Sequence, residues 1–223
     1  MGRPIGAVQR GLADAGLARG DHLLVVLQNR WEMATRRACQ FAGVVMVPLN
    51  WRAKTEEIDY CLADAEAKAM VWGAASGGRG SRALGGARGA AHRRERGAWR
   101  DAAFRGLDGR ADEPDAAGRG AGLVADAHTT GTTGKPKGVP RRQRAERTAA
   151  LAHVAQNLYA VGERTLGVMP LYHTMGVRSL LAMALIDGRI VCIPRFDAWG
   201  AVAAIRDEHL TLSTWCPLST TTC

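Results

Sequence analysis

The sequence predicts an α/β fold in which mixed or parallel sheets are layered against helices. Three observations carry that expectation. Leu23–Leu27 and Val44–Val47 are short, unbroken apolar runs of the kind that fill strands buried on both faces. Segments with apolar residues at helical spacing alternate with such runs. The resulting order, helix–strand–helix–strand–helix–strand, is that of a layered sandwich.

Taken in order, residues 7–19 place Val8, Leu12 and Leu17 at helical spacing, and Gly20-Asp21 turns the chain. His22–Gln28 is the first predicted strand, Trp31–Ala42 a helix and Gly43–Leu49 a second buried strand. Thr55 reads as the N-cap of the next helix. Glu56, Glu57 and Asp59 favour its positive end, and Ile58, Cys61 and Leu62 face inward. Lys68–Trp72 is a third strand. Further on, Arg144–Tyr159 is expected to be a helix with Leu151, Val154, Ala155 and Leu158 on one face. Strand Thr165–Met169, helix Val177–Ile186, strand Arg189–Pro194 and helix Asp197–Glu208 follow.

Bulk properties narrow the function classes. Cys39, Cys61, Cys192, Cys216 and Cys223 are scattered, with no Cys-x-x-Cys pair and no His/Cys cluster at metal spacing. That argues against a disulfide framework and a metal site, and it suits a cytoplasmic, reducing setting. No apolar stretch follows the first basic residues and none could span a bilayer, so neither a signal peptide nor a membrane partner is expected. A net charge of +9 raises the alternative of a basic nucleic-acid-binding protein. Residues 73–122 hold ten arginines and six acidic residues, so about +4 of that charge sits in one segment. A solvated basic stretch accounts for it, and no nucleic-acid partner is expected.

The stretch 128–138, His-Thr-Thr-Gly-Thr-Thr-Gly-Lys-Pro-Lys-Gly, carries the chemistry. Gly131, Gly134 and Gly138 let the backbone turn tightly and bring N–H groups close to a ligand. Consecutive N–H groups in such a turn form an anion-binding concavity. Thr129, Thr130, Thr132 and Thr133 add hydroxyl donors, and Lys135 and Lys137 add positive charge. The sum is a loop suited to a polyphosphate. It is not a Walker A loop, which needs Gly-x-x-x-x-Gly-Lys-Ser/Thr. Here two residues separate Gly131 from Gly134, and Pro136 stands where the metal-binding hydroxyl belongs. A second run, Met169-Pro170-Leu171-Tyr172-His173-Thr174-Met175-Gly176, leads into a helix. His173 can hydrogen-bond or carry charge near neutral pH, although a lone His before a helix is more often structural. Tyr172 reads as packing. Arg141, Arg142, Arg144 and Arg147 cluster at a helix start, the wrong end of its dipole for cations. Two readings stand for them, contact with bound phosphates or a solvated face.

Thr129–Gly138 closely resembles the phosphate-loop signature of the adenylate-forming superfamily, Thr-Ser-Gly-Thr-Thr-Gly-x-Pro-Lys-Gly. Only Thr130 departs, and it keeps the hydroxyl. Gly-Leu-Ala-Arg-Gly-Asp (16–21), Gln28-Asn29 and Val-Pro-Leu-Asn-Trp-Arg (47–52) also resemble the early part of an acyl-CoA synthetase, where they build scaffold. Met169–His173 is most similar to benzoate- and 4-chlorobenzoate-type CoA ligases, and its place downstream of the loop favours a functional His173. The resemblance implies an incomplete N-terminal domain of the adenylate-forming fold. It implies an AMP-dependent acid–CoA ligase that activates an aryl or fatty acid with ATP and Mg²⁺ and then passes it to CoA. By the same resemblance, Thr129, Thr130, Gly131, Thr132, Thr133, Gly134, Lys135, Lys137 and Gly138 hold phosphate, and His173 contacts the acid or the phosphate. The family's Tyr-Gly-x-Thr-Glu, ribose-binding Asp, hinge and C-terminal Lys find no counterpart in the 223 residues. A truncated, inactive fragment is therefore expected; a non-catalytic nucleotide-binding relic is the alternative.

The domain plan has three parts. Residues 1–72 form part of a first α/β subdomain, and 123–223 contain the phosphate loop and part of a second. Between them, roughly seven in ten of residues 73–122 are Gly, Ala or Arg, with no sustained period. Such a composition cannot bury enough apolar surface to offset its ordering entropy. It is read either as a flexible linker or as a stretch translated out of frame from GC-rich DNA. The second is favoured because codons for Ala125-Asp126-Ala127, shifted one base, can encode Leu-Met-Leu. The tail after Leu212 reads as a second frame change.

Overall fold

The computed structural model describes residues 2–29, 35–73, 123–130 and 136–213. The expectations for residues 74–122, for the tail beyond residue 213 and for residues 31–34 of the second helix lie outside the described residues. The chain divides into two compact units: Met1–Leu27 with Ala34–Gln143, and Gln28–Met33 with Arg144–Cys223.

The first unit is built on helix α1 (Gly2–Asp14), strand β1 (His22–Val26), helix α2 (Thr35–Ala42), strand β2 (Val45–Pro48), helix α3 (Thr55–Asp64) and strands β3 (Ala69–Trp72), β4 (Leu123–Thr130) and β5 (Pro136–Arg142). Its sheet runs β3-β1-β2-β4-β5. β1 pairs in parallel with β2 and β3, and β2 in parallel with β4. Leu23, Leu24, Val25 and Val26 are each at most 1% exposed, so β1 is covered on both faces as its apolar run predicts. One face packs Leu24 and Val26 with Val47, Ile58, Cys61, Leu62 and Met70. Burying each such side chain contributes about 1.5–3 kcal/mol. Asp21 stands at the entry to β1, where it accepts Ala18 N–H at 2.8 Å and meets Lys68 Nζ at 2.6 Å. The Lys68 hydrogen bond, then the Ala18 amide, hold its carboxyl below the usual value.

The second unit contains helix α4 (Gln143–Gln156, whose first residue belongs to the first unit), strand β6 (Arg164–Gly167), helix α5 (Thr174–Leu185), strand β7 (Arg189–Cys192), helix α6 (Ala198–Asp207) and strand β8 (Leu212–Ser213). Its parallel sheet is ordered β7-β6-β8. Leu166 and Val191 pack with Ala201 of α6, whereas Ile190 and Leu212 pack with Ala182, Met183 and Ile186 at the end of α5. Adjacent strand residues point to opposite faces, so helices cover both sides of this sheet.

Several local expectations need correction. The N-cap of α3 is Lys54, not Thr55, because the Glu57 carboxylate reaches back to accept Lys54 N–H at 2.7 Å. The apolar face predicted for α4 is buried only in part: Leu151 and Leu158 are exposed at 47% and 88%, while Val154 packs on Ala182, Met183 and Ile186, and Ala150 is buried against Val177 and Leu181. A small residue lets the two helices approach where Leu would hold them apart. Pairing of β4 with β2 puts the β4–β5 hairpin in the first unit.

All six described helices end in the same way. Gly16, Gly43, Glu66, Leu158, Asp187 and His209 take left-handed φ values between 47° and 75°. The next residue of each donates back five positions, as in Leu17→Leu12 at 3.0 Å and Tyr159→Val154 at 3.1 Å. Four of the six are not glycine, and an L-residue there costs roughly 1–2 kcal/mol. Leu158 is the bulkiest of them and is almost fully exposed, so it loses no packing when truncated. Leu158→Gly is expected to stabilise the chain by about 0.5–1 kcal/mol after the glycine's own entropy cost, read as a higher urea midpoint at unchanged slope. A lower midpoint would show that Leu158 is not strained.

Candidate functional site

The glycine- and threonine-rich stretch begins on β4 and ends on β5. β4 and β5 pair antiparallel down to Thr129↔Lys137 and Thr130↔Pro136. The sequence suggests a loop over 128–138, whereas the strands run into it: His128–Thr130 end β4, and Pro136–Gly138 begin β5. Gly131, Thr132, Thr133, Gly134 and Lys135 lie outside the described residues. Because β4 runs parallel to β2, and β2 to β1 and β3, Thr129 and Thr130 stand at the edge where all four strands have their carboxyl ends. That edge is where open α/β sheets bind ligands. β5 is the sheet's last strand, so Pro136 and Pro140 break no ladder on its outer side. Lys137 is exposed and Gly138 half-buried. Arg142, Arg144 and Arg147 are exposed, and Arg141 is half-buried.

His173 belongs to the second unit. It is the N-cap of α5, its Nδ1 accepting Met175 N–H at 3.4 Å, a long bond. With Nδ1 used as acceptor, the neutral ring carries its proton on Nε2, and the residue is exposed. Its backbone closes a turn, donating to Pro170 O at 2.9 Å and accepting from Val177 N–H at 3.1 Å. The helix itself grips this turn through Gly176. A Cβ at that position would meet Pro170 O at 2.2 Å and Met169 O at 2.7 Å. Tyr172 is half-buried, in keeping with packing.

Two residues that the sequence reading left as scaffold hold the same segment from the other side. Asn29, 7% exposed, donates Nδ2 to Gly167 O at 2.9 Å and Met169 O at 2.8 Å, and its Oδ1 accepts Leu171 N–H at 2.8 Å. Gln28 Nε2 donates to Pro194 O at 3.1 Å, just past β7. The only sequence signal was the abrupt end of an apolar run in two carboxamides.

Other titratable groups support structure. Burial pushes the Cys39 thiol up to about 12, and burial with the Asp64 and Glu57 carboxylates nearby does the same to Cys61, so neither is poised as a thiolate. His153 is held below its usual value by burial and then by Arg178, and it contacts Tyr159 Oη at 3.3 Å. Among the described residues no three His, Cys, Asp or Glu side chains gather to hold a metal ion. No helix among them is long and apolar enough to cross a membrane.

Parallel strands with a shared carboxyl edge make the sheet of the first unit an open α/β sheet, a class in which ligands bind at strand ends. The chain belongs to the AMP-binding enzyme family, whose model it matches over residues 5–218. It is 26% identical over 211 residues to the long-chain-fatty-acid–CoA ligase FadD13 of Mycobacterium tuberculosis, a match that covers 90% of this chain and 40% of that ligase. Over 87 residues, 38% of this chain and 16% of the relative, it is 38% identical to the 4-chlorobenzoate–CoA ligase of Pseudomonas sp. strain CBS-3. The fold matches the N-terminal domain of FACL13 from Mycobacterium tuberculosis with a TM-score of 0.85 at 22% identity, over 98% of this chain and 55% of that one. The chain thus spans well under two thirds of the relatives it matches.

Gly176→Ala is expected to destabilise the chain by about 1–3 kcal/mol, the usual cost of overpacking, because the obstructing atoms are backbone. Chemical denaturation measures this, and a change of under about 0.5 kcal/mol, the size of an ordinary surface effect, would mean that the turn is not clamped by the helix.

Proposed function

We propose that these residues supply the triphosphate grip and one wall of the acid pocket of an AMP-dependent acid–CoA ligase acting on an aryl or fatty acid. In that reaction a carboxylate oxygen attacks the α-phosphorus of ATP, giving an acyl adenylate and pyrophosphate. The CoA thiol then attacks the acyl carbon, and AMP leaves as the thioester forms. The observation that carries the reading is the match of Thr129–Gly138 to the family's phosphate loop, supported by its position at the carboxyl end of β4.

In this reading the backbone N–H groups of Gly131 and Gly134, the hydroxyls of Thr129, Thr130, Thr132 and Thr133, and the cations Lys135 and Lys137 hold the β- and γ-phosphates. Gly138 ends the motif on β5. Holding the leaving pyrophosphate lowers the barrier by positioning and by neutralising charge that develops as it departs. His173 offers Nε2–H to the acid or to a phosphate oxygen. When ATP carries Mg²⁺, the ion would share neutralisation of the phosphate charge with Lys135 and Lys137.

Calorimetry tests the grip. A charge-assisted hydrogen bond is worth about 1.5–3 kcal/mol, so Lys137→Ala is expected to weaken pyrophosphate and ATP binding roughly tenfold or more. Equal affinities for the two proteins would defeat the assignment.

A further inference from the structure

We propose that Asn29 is a positioning residue for His173, acting on it through the Gly167–Leu171 backbone; this rests on the reading of His173 as part of the acid pocket. β6 ends at Gly167, and the next residues leave the sheet. Residue 170 is a proline and has no N–H to offer. The remaining backbone groups on this stretch need partners. Asn29 satisfies three of them, at alternate residues 167, 169 and 171. One planar carboxamide therefore binds the backbone where β6 runs out, and among the described residues no strand pairing extends past Gly167.

The chemistry admits few substitutes. The site needs two donors and one acceptor in a fixed plane, on a short buried side chain. Aspartate keeps the acceptor for Leu171 N–H but turns oxygen toward two carbonyl oxygens. Alanine makes none of the bonds. Two residues past the last of these bonds, His173 caps α5, and Gly176 closes on Pro170 from the helix side. The turn is thus held between a polar clasp and a backbone contact, and the ring of His173 is carried by it.

The test uses the whole chain with ¹⁵N-labelled histidine. Ring signals of His173, assigned by their loss in His173→Asn, are compared in wild type, Asn29→Asp and Asn29→Ala. His153, held by Tyr159 and Asn157 in the same unit, reports whether that unit is folded. The expected result is that His173 signals move in both variants while those of His153 stay. Benzoate-induced shifts of His173 should need about threefold to tenfold more benzoate in Asn29→Asp, the worth of one hydrogen bond, with pyrophosphate affinity unchanged. Unmoved His173 signals would overturn the proposal. So would loss of His153 signals in both variants, because Asn29 would then support the whole unit rather than one turn. If wild-type His173 ignores benzoate yet still moves in the variants, the acid-pocket reading fails and the positioning role stands.

Discussion

Strand β1 must be covered on both faces, and much of the first unit follows from that. Leu23–Val26 leave no side open to water. A strand of that kind is stable only between parallel neighbours joined by crossover helices. β2 and β3 flank it in parallel, and the helix between them, α3, sends Ile58, Cys61 and Leu62 into the same core. Parallel pairing has a further consequence: every carboxyl end falls on one edge. β4 joins through β2 and inherits that direction, so its terminal threonines come out at the shared edge. The position of the phosphate-loop motif is therefore a consequence of how an apolar strand is buried.

The second unit relies on polar groups where the first relies on apolar ones. Three hydrogen bonds to a buried amide net only about 1 kcal/mol each, because water supplied equivalents in the unfolded chain, whereas one orphaned group costs about 1–3 kcal/mol. Asn29 consequently contributes less to stability than to shape. Nothing apolar could have fixed the irregular stretch between β6 and α5, since packing is not directional and hydrogen bonds are. Gly176 supplies the complementary restraint by the absence of a side chain.

What was legible in the sequence were features that repeat within a few residues. The apolar runs at 23–27 and 44–47 became β1 and β2, the inward face of α3 was read residue by residue, and the Thr–Gly motif stood out at fixed spacing. Features that depend on distant partners were not. Asn29 meets residues some 140 positions away, and no local pattern announces that. Leu151 and Leu158 have the spacing of a buried face, yet Ala150 and Val154 are the residues against α5, and Leu158 falls at a left-handed cap. Glycine marks only two of the six helix ends, so the others gave no punctuation to read. The strands' intrusion into the 128–138 stretch depended on pairing across the hairpin.

The family match accounts for the fold and for the two motifs, and it leaves the phosphate grip as the claim on which the functional account turns. Backbone hydrogen exchange with and without Mg-ATP tests it most directly, because the grip is made largely of amides. The account predicts that ATP slows exchange across residues 129–138 and leaves β7 and α6 unchanged. Protection confined to other segments, or none at saturating ATP, would contradict it.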